Sequence, residues 1–263
     1  MGIWNQYDIE QNVCYMMQLG PLSTWIKKID DEIHIATQRT EESLSNVTAE
    51  PKFEICEQSP TDVTWTRYII ENNTKLISLK PIMPDRAVLV RPEEPLKLPA
   101  GRKATFYVRI PIWINIEITS SKSAGLCEIP TIEQSNIWFG DAVSGELCYS
   151  LRSKARRKFV DFTPMAHRVI CPVVIQNKSK DTIDISRICI QSQHLNIYSA
   201  ESLMWTNDIE ITFQTDDYSG SILYSNKPSE LKPKAKLLAT ARVPKKKTLL
   251  KRSLGTFRIF GGF

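Results

Sequence analysis

Phe106-Tyr107-Val108-Arg109-Ile110-Pro111-Ile112-Trp113-Ile114-Asn115-Ile116-Glu117-Ile118 places an apolar side chain at every even position. The odd positions carry Tyr107, Arg109, Pro111, Trp113, Asn115 and Glu117. Successive side chains of a strand point to opposite faces, so this alternation predicts a half-buried β-strand with one clean core face. Unbroken, it would run roughly 40 Å at ~3.3 Å per residue. Pro111 has no amide hydrogen to give to a ladder. That predicts an edge or a bulge there, where the strand crosses between sheets.

The same period of two extends outward from this stretch. Trp25–Ile29 and Glu32–Ile35 flank Asp30-Asp31, the spacing of a hairpin. Trp65–Glu71 and Lys75–Leu79 flank Asn72-Asn73-Thr74, and Asn tolerates the positive φ of a tight turn, so a second hairpin is expected there. Arg168–Gln176 is apolar on both faces and reads as a central strand, turned by Asn177–Asp181 into Ile183-Asp184-Ile185. Ile188 and Ile190 shift the parity, which predicts a bulge near Ser186-Arg187. Ile209–Phe213 and Ser221–Tyr224 complete the set.

Helical periodicity is nearly absent before residue 240. About seven strands before Lys80 and about seven from Ala87 to Tyr224 predict an all-β chain. The expected architecture is two immunoglobulin-like antiparallel β-sandwich units, or one composite sandwich. Pro81–Asp85 is the expected joint, giving domains at 1–80 and 81–230 and a basic tail at 231–263.

The tail is set apart by charge. Lys232–Phe263 holds ten Lys and Arg and no Asp or Glu; removing them from the 34 basic residues leaves 24 against 29 acidic ones in the body. Charge segregated at one end reads as a device for attachment to something anionic. Lys232–Lys236 reads as an extended linker. Pro244 suits the first position of a helix running from Lys245 to about Phe260. Leu250, Leu254 and Phe257 share one face of that helix, with Phe260 beside them. Lys245, Lys246, Lys247, Lys251, Arg252 and Arg258 supply the charge. An anionic membrane surface, or an acidic groove on the cytoplasmic face of a membrane protein, suits such a segment. Nucleic acid is disfavoured, because stacking platforms and a readable binding motif are missing.

No catalytic or metal signature accompanies these features. The six cysteines lie far apart with no CxxC, and Cys148, Cys171 and Cys189 read as small buried hydrophobes on strands. His34, His167 and His194 are scattered with no HExxH, so neither a metal nor a cofactor is expected. Gly140–Gly145 is followed by Glu146 where a phosphate-binding loop needs Lys, and no GxSxG is present. The opening Met1–Gln6 carries neither a secretory signal nor a myristoylation motif, which predicts a cytoplasmic protein, peripheral at the inner membrane.

Pro84-Asp85-Arg86, Val90–Glu93 and Leu98–Gly101 lead into the long strand. Glu128-Ile129-Pro130, Ser135–Asp141, Gly145–Tyr149, His167–Pro172 and Trp205-Thr206-Asn207 follow it. With these blocks the chain resembles the prokaryotic family catalogued as domain of unknown function 432, over nearly its whole length. The family has no established activity. The resemblance implies a cytoplasmic accessory to a membrane protein, with a small mechanosensitive channel as the expected host.

The block from Trp138 to Tyr149 is the candidate contact of the body. Trp138, Phe139, Asp141, Glu146 and Tyr149 offer a stacking surface and acceptors, and Arg152, Arg156 and Arg157 add positive charge for a partner or a small anionic ligand. Two alternatives stand beside the docking reading. One is an enzyme or sensor joining Asp141, Glu146 and Arg152 with His167. The other is non-specific nucleic-acid binding through the tail.

Overall fold

The computed structural model describes residues 2–43, 47–71, 74–119, 123–140, 142–143, 145–159, 163–214, 220–244 and 250–252. The described chain is all-β, built from 23 strands in several mostly antiparallel sheets, with one short 3-10 turn at Ser192–His194. Strands are numbered in chain order. They fall into two compact units that interleave in sequence: Met1–Ile82 with Pro111–Glu133 and Thr163–His167, and Met83–Ile110 with Gln134–Phe162 and Arg168–Phe263.

The long alternating stretch divides at the expected place. β10 (Lys103–Pro111) ends on the proline and pairs with β15 (Arg168–Asn177). β11 (Trp113–Thr119) resumes one residue later in a different sheet. Phe106, Val108, Ile110, Ile112, Ile114 and Ile116 are all fully buried, so these even positions are core positions in both strands. Each such side chain contributes about 1.5–3 kcal/mol by leaving water. Proline lacks the donor that would continue the first ladder, and the chain changes sheets there.

The first unit holds two sheets. One is ordered β1 (Gln6–Asp8), β7 (Leu76–Ile82), β11 and β12 (Ser123–Pro130). The other is ordered β5 (Lys52–Ile55), β2 (Cys14–Leu19), β3 (Leu22–Ile29), β4 (Glu32–Arg39) and β6 (Trp65–Ile69). The β3–β4 hairpin turns on Asp30-Asp31 as expected, with Ile29 opposite Glu32 and Asp30 at φ 50°. The second expected hairpin does not form. β6 pairs with β4, whereas β7 pairs with β1 and β11, so the Asn72–Thr74 connection links two sheets. Alternation identifies strands but carries no information about partners.

The second unit is centred on β15, whose residues are buried on both faces until Val173. β15 runs parallel to β19 (Leu203–Thr206) and then to β20 (Ile209–Phe213), with a one-residue register shift between the two. This sheet continues through β18 (Ile197–Ala200) to β22 (Lys236–Ala239) on one side and through β21 (Gly220–Tyr224) to β23 (Leu250–Arg252) on the other. A four-stranded sheet follows the order β13 (Ser135–Phe139), β14 (Glu146–Ser150), β8 (Val88–Val90), β17 (Ile188–Ile190). β9 (Leu96–Leu98) pairs with β16 (Ile183–Ile185). The parity shift after Ile185 therefore marks a change of sheet, from β16 on β9 to β17 on β8, in place of the bulge expected at Ser186-Arg187.

The segment expected to be an extended linker, Lys232–Lys236, is tied into the second unit. Lys236–Ala239 form the edge strand β22 against β18, and Lys232 Nζ lies 2.7 Å from Glu201 Oε1. Ala241 is buried, its amide donating to Asn196 Oδ1 at 2.7 Å, and Arg242 Nε donates to the Met83 carbonyl at 2.6 Å. Leu250–Arg252 carry strand backbone paired with β21 where a helix was expected. Lys245, Lys246, Lys247, Leu254, Phe257, Arg258 and Phe260 lie outside the described residues.

Candidate functional site

The Trp138–Tyr149 block is the β13–β14 hairpin, and the pleat sorts it onto two faces. Trp138 stands opposite Leu147 and Asn136 opposite Tyr149, while Ile137 stands opposite Cys148 and Phe139 opposite Glu146. The first set faces outward: Trp138 is 50% exposed and Leu147 42%. The second faces inward, where Phe139 and Cys148 join Ala87, Leu89 and Cys189 in a buried cluster.

On the outer face Tyr149 donates its hydroxyl to Asp85 Oδ1 at 2.9 Å, and the Arg86 guanidinium lies 5.5 Å from its ring centroid. Burial, then the Asp85 carboxylate, pushes the Tyr149 phenol above its ordinary range. Arg86 also donates to Asn136 Oδ1 at 3.3 Å. The result is a strip of exposed tryptophan and leucine bordered by polar groups that already bond one another. Such a strip suits a partner's apolar surface, with Trp138 as anchor.

The basic run beyond β14 lines a separate cleft of about 590 Å³. Arg156 lies 3.8 Å from Glu93 Oε1, Arg157 donates to the Thr105 carbonyl and sits over the Phe106 ring, and Glu94 lines the same cleft. Two glutamates thus offset much of the positive charge anticipated there. Arg152 is exposed, and Asp141 lies outside the described residues.

The inner face holds a constellation that residue spacing did not disclose. Cys148 Sγ and Cys189 Sγ are 3.8 Å apart, and Glu146 Oε1 is 3.7 Å from Cys189 Sγ. Gln191 Nε2 donates to the same carboxylate oxygen at 2.6 Å, and Gln193 Nε2 donates to Gln191 Oε1 at 2.8 Å. Hydrogen bonding with Cys148, followed by burial, holds the Cys189 thiol well above its usual range. Glu146 is half-buried and is the member nearest solvent; it begins β14 beside the connection that carries the fully exposed Val143. Cys148 and Glu146 share a face because they are two apart on a strand, and Cys189 comes to them across β8.

The histidines make no common site. His34 is bonded to Glu32 Oε2 at 2.7 Å on β4. His167, fully buried in the first unit, meets Glu42 Oε1 at 3.0 Å, and Gly20 lies against its ring. His194, in the second unit, meets the Val243 carbonyl at 2.9 Å and the Tyr224 ring edge-on.

Glu146, Cys148 and Cys189 supply the one group of three metal-ligating side chains among the described residues. No described helix is long and apolar enough to cross a membrane. No curated protein and no solved structure matches this chain. The family model described as "Protein of unknown function (DUF432)" matches residues 3–258, almost the entire length, and the chain belongs to that family.

Proposed function

We propose that this chain is a non-enzymatic accessory protein that docks at the inner face of a membrane through its basic C-terminal segment, and engages a partner with the outer face of β13–β14. The observation carrying this reading is the placement of charge. Lys232, Lys234, Lys236 and Arg242 are followed in sequence by Lys245, Lys246, Lys247, Lys251, Arg252 and Arg258, interleaved with leucine and phenylalanine and with no carboxylate side chain anywhere from Lys232 onward. Near an anionic surface each such cation is worth about 1 kcal/mol before screening. Inserted Leu and Phe add apolar burial.

The host is an anionic lipid surface or the cytoplasmic face of a membrane protein; the family resemblance favours a small mechanosensitive channel. A sedimentation assay tests the reading. The full chain should pellet with membranes from its own cells, and a form ending at Pro244 should stay in solution. Vesicles with and without anionic lipid then separate a lipid host from a protein host. Equal pelleting of both forms would defeat the proposal.

A second reading, a small-molecule sensor or enzyme at the same hairpin, draws on one observation: Glu146 is directed at two buried thiols.

A further inference from the structure

Cys148 on β14 and Cys189 on β17 approach one another from the two strands that flank β8. Both are almost fully buried, among Ala87, Leu89 and Phe139. Their sulfurs are 3.8 Å apart, Glu146 Oε1 is 3.7 Å from Cys189 Sγ, and the three ligand atoms lie within 4.8 Å of one another. Two sulfurs held at ~2.3 Å by one tetrahedral ion stand ~3.8 Å apart, and a sulfur and a carboxylate oxygen on that ion stand ~3.5 Å apart. The spacing in the fold meets both values closely.

We propose that Glu146, Cys148 and Cys189 form a binding site for one thiophilic divalent cation of the zinc class. This inference does not rest on the docking reading. A second observation supports it independently. Gln191 fixes the Glu146 carboxylate at 2.6 Å and is itself held by Gln193 at 2.8 Å, the outer-shell arrangement that orients a ligating carboxylate. Thiolates select soft or borderline ions over magnesium and calcium. Three protein ligands leave a fourth position for water or a small ligand, on the side where Glu146 reaches solvent. Binding forms two metal–sulfur bonds and one metal–oxygen bond and releases the two thiol protons to solvent.

A disulfide fits the same pair less well. With β8 between them, two strand steps of ~4.8 Å separate the backbones by ~9.6 Å in a flat sheet, against the ~4.4–6.8 Å Cα span of a disulfide. A disulfide would also leave the Glu146–Gln191–Gln193 chain without a role.

The test uses the full chain, reduced, stripped with a chelator and titrated with cobalt(II), then zinc. One ion per chain is expected, with thiolate-to-cobalt charge-transfer absorption that zinc abolishes. Cys148→Ser and Cys189→Ser should each remove that absorption. Glu146→Gln should weaken affinity at least ~tenfold, and Gln191→Leu by ~10–100-fold, the range for outer-shell partners. Gln191 is only half-buried, so its variant keeps the test decisive if a cysteine variant fails to fold. The proposal is overturned if the folded parent chain retains no ion and shows no such band. A band that survives Cys189→Ser, or a Cys148–Cys189 disulfide in protein isolated without reductant, would overturn it equally.

Discussion

At the scale of single residues, buried polar groups carry the sharpest consequences. Asn177 is fully buried at the end of β15, and its amide uses all four of its hydrogen-bonding positions. Nδ2 donates to the Leu98 and Asp181 carbonyls at 2.9 and 2.7 Å, and Oδ1 accepts from the Ser179 amide and hydroxyl at 3.0 and 2.6 Å. Asn177→Ala strands those partners, each worth about 1–3 kcal/mol when buried. A loss of at least ~2 kcal/mol in urea unfolding is expected, and an unchanged midpoint would contradict it. Gly20 sits at φ 57°, and a Cβ there would stand 2.3 Å from His167 Nδ1, on a fully buried ring already bonded through Nε2 to Glu42. Gly20→Ala should cost more than about 2 kcal/mol by the same assay, from backbone strain and the clash together. Burial pushes the Cys171 thiol up to about 12 and the Cys127 thiol up to about 11. At pH 8 the Cys171 thiolate is then roughly one molecule in 10⁴. Mass mapping after native alkylation should find both cysteines unmodified, and modification matching that of the unfolded chain would contradict the burial assigned to them.

At the scale of elements, the long alternating stretch behaves as two strands, each with its even positions buried from Phe106 to Ile116. Ile110→Ala and Ile114→Ala should each cost about 2–5 kcal/mol, while Asn115→Ala, on the outward face, should cost under about 1 kcal/mol. Similar losses at both kinds of position would refute the assignment of faces. Strands of seven to ten residues such as β10, β11 and β15 were legible because alternation or continuous apolarity persists over several pleats. Three-residue strands such as β8 and β9 were not, since three positions cannot establish a period; β16 and β17 were found because they follow directly on the turn after β15. Such omissions are part of why about seven strands were anticipated after Ala87, where the described residues hold fourteen, β8 to β21. Pairing was the second gap: β6 and β7 neighbour each other in sequence and lie in different sheets. The candidate site shows both limits. Period two within β14 does separate Glu146 and Cys148 from Leu147 and Tyr149, so the two faces were readable in principle. The approach of Cys189 was not, because it depends on a parallel β14–β8 pair and an antiparallel β8–β17 pair formed by residues far apart in the chain.

At the scale of the whole molecule, composition located the basic segment but not that the fold continues into it. The charge count begins at Lys232, yet β22, Ala241 and Arg242 bind residues 232–242 to the second unit. A chain cut after Leu231 loses β22 and β23 and should therefore melt roughly 4–10 °C lower than the full chain, while one cut after Pro244 loses only the three-residue edge strand β23 and should fall by less than that. Docking experiments need the second cut, since the first confounds attachment with folding. Nor does composition reveal that residues 111–133 return to the first unit after the second has begun, because a β-rich sequence has the same pattern in either place.

The central claim is that cations beyond Pro244 hold this protein at its host. Lys245, Lys246 and Lys247 reversed together to Glu in the full chain, followed by sedimentation with native membranes, test it most directly. At about 1 kcal/mol per cation, the membrane-bound fraction should fall at least ~tenfold, and moderate salt should weaken the parent chain in the same direction. A variant that pellets as fully as the parent, at low and high salt alike, would contradict the account.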